Sequence, residues 1–87
     1  GKAALRALAQ SMARELGPQG LHVAHVVIDG IIDTAFAREH FAEVVRTAGP
    51  DGILNPDHIA EAYWWLYQQP RDAWTFELDL RPSTERW

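Results

Sequence analysis

The chain has 87 residues, of which 47% are hydrophobic and 23% are charged, and it contains no cysteine. Disulfides and thiolate chemistry are therefore excluded, a small domain without disulfides fits the cytoplasm better than secretion, and no apolar run approaches the ~20 residues that a membrane helix requires. The net charge is −4 and the eight Lys and Arg residues are scattered, which argues against nucleic acid as a partner.

Residues 2–16 predict an amphipathic helix, because large apolar residues recur at helical spacing and polar residues occupy the other side. The apolar stripe, which we expect to be core, consists of Leu5, Leu8, Met12 and Leu16. Gly17 is expected to take the left-handed position after the last turn, and Pro18 cannot continue the helix.

Residues 21–28, "LHVAHVVI", predict a strand, since the stretch is rich in β-branched residues and too short for a typical helix. Both faces are mostly apolar, a pattern typical of a parallel sheet that lies between helix layers and has further strands beside it. Asp29 and Gly30 end the strand. We therefore expect it to pack beside strands that these 87 residues do not contain.

Two helices and a second strand are predicted to follow. The first helix covers residues 34–47, with Thr34 as its cap, and the second covers residues 56–69, with Asn55 as its cap. The expected buried stripe of the second helix is Ile59, Tyr63 and Leu66. Residues 74–80 alternate apolar and polar side chains, which predicts a half-buried strand.

This order of elements, helix, strand, helix, helix, strand, predicts an α/β fold in which a crossover connection joins a parallel pair of strands. Two strands alone do not make a stable parallel sheet. A chain of this length typically buries only ~60–65% of its unfolded surface, so its stability without partners is expected to be marginal.

The opening stretch, "GKAALRALAQSMARELGPQGLHVAHVVIDGIIDT", resembles the short-chain dehydrogenase/reductase family from its catalytic lysine, through the next helix and strand, to the loop after that strand. The resemblance covers essentially the whole chain and weakens after Pro70. It implies that residues 1–87 are the C-terminal portion of one Rossmann-type domain, a fragment of a doubly wound parallel sheet. It also implies a parent oxidoreductase that uses NAD or NADP and transfers a hydride between the nicotinamide and a carbonyl or alcohol substrate.

By this resemblance, Lys2 matches the catalytic lysine of the family's YxxxK motif, whose charge lowers the pKa of the tyrosine and whose ammonium binds the nicotinamide ribose. The matching tyrosine would precede residue 1. The loop that starts at Asp29 matches the family's PGxxxT, with Asp29 in place of the usual proline. Gly30 would let the backbone approach the cofactor, Ile32 would offer backbone groups to the carboxamide, and Thr34 would offer a hydroxyl to the carboxamide or pyrophosphate.

The family's Gly-rich dinucleotide fingerprint and its catalytic serine and tyrosine belong to the N-terminal portion, and no GxGxxG occurs in these residues. The chain by itself is therefore expected to be inactive and to bind no cofactor. No metal site is expected, because His22 and His25 lie on opposite faces of the predicted strand. The helix at residues 34–47 corresponds to the family's substrate lid, whose sequence does not name the substrate.

From local chemistry alone, Lys2 is an exposed lysine in a first helical turn, and Gly30 and Thr34 form a turn and a helix cap. A competing hypothesis is a non-enzymatic α/β module that self-associates and buries its apolar faces against a second copy. Both hypotheses predict a homo-oligomer, a dimer or larger, and the resemblance adds a small-molecule substrate for the parent. Trp87 is expected to dock on a neighbouring subunit.

Overall fold

The computed structural model describes residues 1–85, so the prediction for Trp87 lies outside the described residues. These residues form four α-helices, one short 3-10 helix and two strands. In chain order the elements are α1 (Lys2–Leu16), the 3-10 helix (Gly17–Gln19), β1 (His25–Ile28), α2 (Ala35–His40), α3 (Ala42–Ala48), α4 (Pro56–Tyr67) and β2 (Glu77–Leu80). No helix in this part of the chain is long and apolar enough to cross a membrane.

The first helix, α1, spans the residues that the sequence pattern indicates, but it ends differently. Gly17 has a right-handed backbone, with φ −54° and ψ −48°. Pro18 fits the first turn of the 3-10 helix, and the helical path therefore continues past Gly17. Gly20 takes the left-handed conformation instead, with φ 90°, and its amide donates to the carbonyl of Gly17 at 2.9 Å.

The two strands, β1 and β2, form a parallel sheet in which His25 lies opposite Glu77 and Ile28 lies opposite Leu80. The predicted α/β architecture with a parallel pair is therefore confirmed. Along β2 exposed and partly covered residues alternate, as expected of a half-buried strand. Every position of β1 is partly covered and none is fully buried, so the described residues do not enclose this strand.

Both strands are shorter than the predicted ranges, 21–28 and 74–80. The backbone ladder begins where the amide of His25 donates to the carbonyl of Phe76 at 2.7 Å. Before that point a side chain connects the two segments: the ring of His22 stacks on Trp74 at 4.7 Å, and its Nε2 lies 2.8 Å from the carbonyl oxygen of Thr75. The segments therefore run side by side without forming backbone pairs.

The predicted helix at residues 34–47 is two helices, α2 and α3, separated at Phe41. This residue has φ −130° and ψ 35°; its amide ends α2 on the carbonyl of Ala37, and its carbonyl begins α3 by accepting from the amide of Val45. In one continuous helix, residues five apart point about 140° away from each other. The interruption instead lets the rings of Phe36 and Phe41 approach to 6.2 Å.

The fourth helix, α4, begins at its predicted cap and ends two residues before the predicted end. The side chain of Asn55 accepts from the amide of Asp57 at 2.9 Å. At the other end, the side chain of Gln69 makes two hydrogen bonds of 2.8 Å with Thr75, one with its amide and one with its hydroxyl. These bonds direct Gln69 toward the segment before β2, out of the helix.

Few apolar side chains are fully covered in the described part of the chain. The buried hydrophobic residues are Ala37, Val45 and Leu66. Three of the four residues in the α1 stripe that was predicted to be core are exposed instead, 58% for Leu5, 57% for Leu8 and 39% for Met12, and Leu16 is half-buried. Tyr63 of α4, also predicted to be buried, is 48% exposed. These corrections share a cause: no second element of the described residues packs over the apolar face of α1 or over Tyr63.

The overall shape is too open for a closed domain of this length. The radius of gyration is 15.5 Å, whereas a compact domain of this length has about 12 Å. The accessible surface is 6614 Å², and a monomer of this mass exposes roughly 5,200 Å². The chain thus exposes roughly 1,400 Å² more than expected, most visibly along α1 and α4.

Candidate functional site

The carboxyl ends of β1 and β2 lie together, and the chain leaves β1 through a closely packed glycine. The amide of Asp29 donates to the carbonyl of Leu80 at 2.9 Å, one residue past the strand. Gly30 has φ 142°, and a Cβ at this position would lie 2.9 Å from Cδ of Pro82. Because side chains rarely adopt this φ and the Pro82 ring fills the space, the position favours glycine.

Arg81 ties the ends of the two strands together. Its guanidinium lies 2.9 Å from the carboxylate of Asp29 and 2.7 Å from that of Asp79. The hydrogen bond with Asp79, with the charges of nearby carboxylates, raises the pKa of Arg81 above its usual value. Asp29 stands where the resemblance leads us to expect proline, and its ion pair with Arg81 anchors the start of the loop.

Leu54 holds the middle of the loop. Its amide donates to the carbonyl of Ile31 at 2.8 Å, and its carbonyl accepts from the amide of Asp33 at 2.7 Å, which makes an isolated parallel bridge with Ile32. In a parallel bridge of this kind, the central residue directs its own backbone groups to the opposite side. The amide and carbonyl of Ile32 therefore point away from Leu54, as a contact with a ligand requires.

Thr34 caps α2, as predicted. Its Oγ1 accepts from the amide of Ala37 at 3.1 Å, so the hydroxyl hydrogen remains available for a bond that it donates. The guanidinium of Arg38 holds the carboxylate of Asp33 through two bonds of 2.6 and 2.9 Å. These hydrogen bonds lower the pKa of Asp33 and raise the pKa of Arg38. The two charged side chains of this segment thus neutralise each other.

Three of the four predicted site residues, Gly30, Ile32 and Thr34, line one groove of about 400 Å³. We call it the loop groove. Its remaining lining residues are all apolar: Ile31, Phe36, Ala37 and Phe41. Among these described lining residues, Thr34 carries the one side chain that donates hydrogen bonds. The structure therefore brings the predicted loop residues together in an apolar site with a single polar side chain.

Lys2, the fourth predicted site residue, lines a different groove, which we call the lysine groove. It lies in the first turn of α1, and this groove of about 350 Å³ is lined by residues of α1 and β1, Ile28 among them. Because Ile28 ends β1 and Gly30 follows two residues later, both grooves reach the carboxyl end of the same strand. No carboxylate of residues 1–85 forms an ion pair with the ammonium of Lys2.

Arg6 and Glu77 fasten α1 to the sheet beside the lysine groove. Nε of Arg6 donates to the Glu77 carboxylate at 2.9 Å, and the guanidinium lies 5.6 Å from the centroid of the Phe76 ring. This hydrogen bond lowers the pKa of Glu77 and raises the pKa of Arg6. Nδ1 of His25 is buried without a hydrogen-bond partner among the described residues, 3.9 Å from the Glu77 carboxylate. The Arg6 pair sets where the first turn of α1, and with it Lys2, lies against the sheet.

Three residues that position the loop were not among the predicted site residues: Leu54, Arg81 and Pro82. The pairing of Arg81 with Asp29 had a signal in the sequence, since each residue directly follows one of two strands predicted to be parallel neighbours. Leu54 had none, because an isolated bridge involves one residue and therefore produces no periodicity.

The candidate site lies in the loop after a parallel strand of an α/β fold. Doubly wound folds have this arrangement. The crystal structure of a short-chain dehydrogenase from Rhodopseudomonas palustris matches 90% of the chain at 46% sequence identity, with a TM-score of 0.58. The chain spans 26% of the length of that dehydrogenase. No protein-family model and no curated protein matches the chain.

The resemblance found in the sequence is therefore confirmed. The chain is similar to part of this short-chain dehydrogenase, and its two parallel strands with their helices match a fragment of a Rossmann-like fold. The similar protein is a dehydrogenase, which is a kind of oxidoreductase.

Proposed function

We propose that the chain forms one wall of the active site of an NAD(P)-dependent oxidoreductase that transfers a hydride between the nicotinamide and a carbonyl or alcohol substrate. The observation that carries the proposal is the loop groove, where Gly30, Ile32 and Thr34 meet at the carboxyl end of the sheet. Ligands of doubly wound sheets bind outside the carboxyl ends of the strands. The similarity to a short-chain dehydrogenase supports hydride transfer as the chemistry of this groove.

The loop residues suit a nicotinamide carboxamide, which offers one acceptor oxygen and one NH₂ donor. The hydroxyl of Thr34 has a hydrogen to donate, since its oxygen already accepts from the amide of Ala37. Ile32 supplies a donor and an acceptor from its backbone, both directed away from Leu54. When bound, the nicotinamide supplies or accepts the hydride, which carries two electrons, while the substrate oxygen gains or loses a proton.

Lys2 is proposed to act at the same edge of the sheet from the lysine groove. It is the one lysine of the 87-residue sequence, and its ammonium is not neutralised by a carboxylate of the described residues. Its charge stabilises the anion of a neighbouring tyrosine and so lowers the pKa of that hydroxyl, and its hydrogens bind the ribose hydroxyls. The tyrosine belongs to the segment that the resemblance places before residue 1.

Alone, the chain is proposed to be inactive and to bind no dinucleotide. It supplies the lysine, the loop and the lid helices α2 and α3, whereas the Gly-rich fingerprint that binds the pyrophosphate does not occur in its sequence. The residues that distinguish NAD from NADP follow that fingerprint in doubly wound folds, so either cofactor fits the loop described here. The chain has no cysteine and so forms no disulfide, the bond that an oxidising compartment favours, and this supports the cytoplasm as its location.

A homo-oligomer is proposed on the basis of the uncovered apolar surface. The chain exposes roughly 1,400 Å² more surface than a compact monomer of its mass. In a standard interface, each protein buries about 800 Å², so the exposed excess is large enough for one. The same surface supports the second candidate function, a non-enzymatic module that self-associates. Size-exclusion chromatography with light scattering of the 87-residue chain is expected to show a dimer or larger, and a monodisperse monomer would contradict both.

Replacing Lys2 in the full-length enzyme that carries these residues tests the oxidoreductase proposal. Lys2→Met is expected to lower kcat/KM by about 10²–10⁴-fold, the range of a lost acid–base contribution. The pKa in the pH profile of kcat/KM should rise, because a positive charge beside the tyrosine is lost, and the Kd for NAD(P)H should increase. Lys2→Arg keeps the charge and should shift the profile less.

The matched control is Arg14→Met, which removes one charge from the exposed last turn of α1 and should alter none of these values. An unchanged pH profile and an unchanged Kd in Lys2→Met would contradict the role given to Lys2. Absence of NAD(P)H-dependent reduction in the wild-type enzyme, with self-association intact, would favour the non-enzymatic module.

A further inference from the structure

We propose that the enzyme acts on carbonyl compounds with an apolar, uncharged substituent, and that Phe36 and Phe41 are the residues that select this substituent. The inference rests on the proposed function, because it takes the loop groove as the place where the substrate lies next to the nicotinamide.

The loop groove is apolar apart from one hydroxyl. Within residues 1–85 no ionisable side chain lines it, and Thr34 already accepts a hydrogen bond from the amide of Ala37. A carboxylate or phosphate on the substrate would lose its hydration against carbon atoms without gaining a charged partner. The lining therefore disfavours anionic and heavily hydroxylated substrates and favours apolar ones.

The arginines of the lid helices are already occupied. Arg38 lines a separate groove together with Arg46, and its guanidinium lies 2.6 Å from the Asp33 carboxylate. Arg46 lies 2.7 Å from the carboxylate of Glu43. An anionic substrate in the loop groove would have to break one of these ion pairs to gain an arginine. His40 packs against Phe36, with ring centroids 4.5 Å apart, but it does not line the groove, so the lining itself favours an uncharged substrate.

Two aromatic rings at the loop groove offer a surface for the substituent. Phe36 and Phe41 are 64% and 48% exposed, and their rings lie 6.2 Å apart with planes inclined at 58°. The interruption between α2 and α3 brings the two rings together, which a continuous helix would not do. An aryl or branched alkyl group that covers both rings removes their carbon surface, and its own, from water.

The test compares four ketones as probes in the full-length enzyme: acetophenone, acetone, dihydroxyacetone and pyruvate. The kcat/KM for acetophenone is expected to exceed the values for dihydroxyacetone and pyruvate by at least about tenfold. Phe36→Ala and Phe41→Ala are each expected to lower kcat/KM for acetophenone by about tenfold while the value for acetone stays within about twofold. Phe36→Leu should retain most of the efficiency with acetophenone, because it keeps an apolar contact.

Two further variants separate the substrate class from the proposed function. Tyr67→Ala removes an exposed aromatic ring of α4 outside the loop groove and should leave every ratio unchanged. Thr34→Val should lower kcat/KM for all ketones alike, since it weakens the cofactor contact. Losses that are equal for acetone and acetophenone in the two alanine variants, or a preference for dihydroxyacetone or pyruvate, would overturn the inference and leave hydride transfer standing. No turnover of any ketone would overturn the proposed function, and the inference with it.

Discussion

The exit from β1 depends on one residue under two independent constraints. Gly30 has φ 142°, and the ring of Pro82 occupies the space in which a Cβ would lie. The first constraint concerns the backbone and the second concerns packing, so relief of one leaves the other in place. Ile32 and Thr34 follow within four residues, and their positions in the loop groove therefore depend on this turn.

Gly30→Ala is expected to destabilise the full-length protein by about 1–3 kcal/mol, because it adds backbone strain and a contact with Pro82. The measurement is urea-induced unfolding. Gly17→Ala is the matched control, since Gly17 has φ −54° and no heavy atom lies within 4 Å of its added Cβ. The control should be neutral or stabilising by up to about 1 kcal/mol. Equal effects of the two substitutions would contradict the constraint at Gly30.

The anchoring of α1 to the sheet rests on an ion pair with a defined pH dependence. The hydrogen bond from Arg6 lowers the pKa of Glu77 from its ordinary value of 4.5. A carboxyl group with a lowered pKa in the folded state stabilises the fold above its unfolded pKa, and it loses this contribution as the pH falls through the folded value. The anchor should therefore be intact near neutral pH and weaken below about pH 4.5.

Glu77→Gln is expected to lower the melting temperature of the full-length protein near neutral pH, where the ion pair with Arg6 is intact. The difference from wild type should shrink as the pH falls below about 4.5, because the wild-type carboxylate is then protonated. Glu43→Gln, which removes an exposed ion pair with Arg46 inside α3, is the control and should have little effect. A difference that is independent of pH would contradict the anchor.

The sequence pattern was sufficient for elements that have a clear period or a clear cap. α1 follows from its apolar spacing, and the caps follow from side chains that accept hydrogen bonds from amides of the first helical turn, Thr34 from Ala37 and Asn55 from Asp57. Strand ends were less predictable, because residues 21–24 keep a strand-like composition although a ring contact of His22 replaces the ladder there. The interruption at Phe41 had no signal, since neither proline nor glycine marks it.

The residues of the candidate site that match the family motif could be predicted from the sequence. The residues that hold the loop through contacts with distant parts of the chain could not. Gly30, Ile32 and Thr34 were expected together and do line one groove. Leu54, which holds that loop by two backbone hydrogen bonds, lies more than twenty positions away and has no local pattern. The burial of α1 was wrongly predicted because an apolar stripe shows which face of a helix is suited to packing, and the described residues do not cover that face.

The uncovered surface of the chain leads to a prediction about assembly. Leu5 and Leu8 are both more than half exposed on one stripe of α1. Leu5→Glu together with Leu8→Glu places like charges at a proposed interface between copies, and it is expected to raise the dissociation constant of the oligomer at least about tenfold. Sedimentation of the 87-residue chain measures this constant. Arg14→Glu, a charge change on the other side of α1, is the control, and an equal effect of both would contradict an interface at the stripe.

In the proposed function, a hydride passes from the nicotinamide to a carbonyl carbon of the substrate. Mass spectrometry of the alcohol formed from acetophenone tests it most directly, with the full-length enzyme and a nicotinamide cofactor that carries deuterium at the transferable position. Each alcohol molecule is expected to carry one deuterium, bound to the former carbonyl carbon, and Lys2→Met is expected to form much less alcohol. Alcohol without deuterium, or no alcohol from the wild-type enzyme with any ketone, would contradict it.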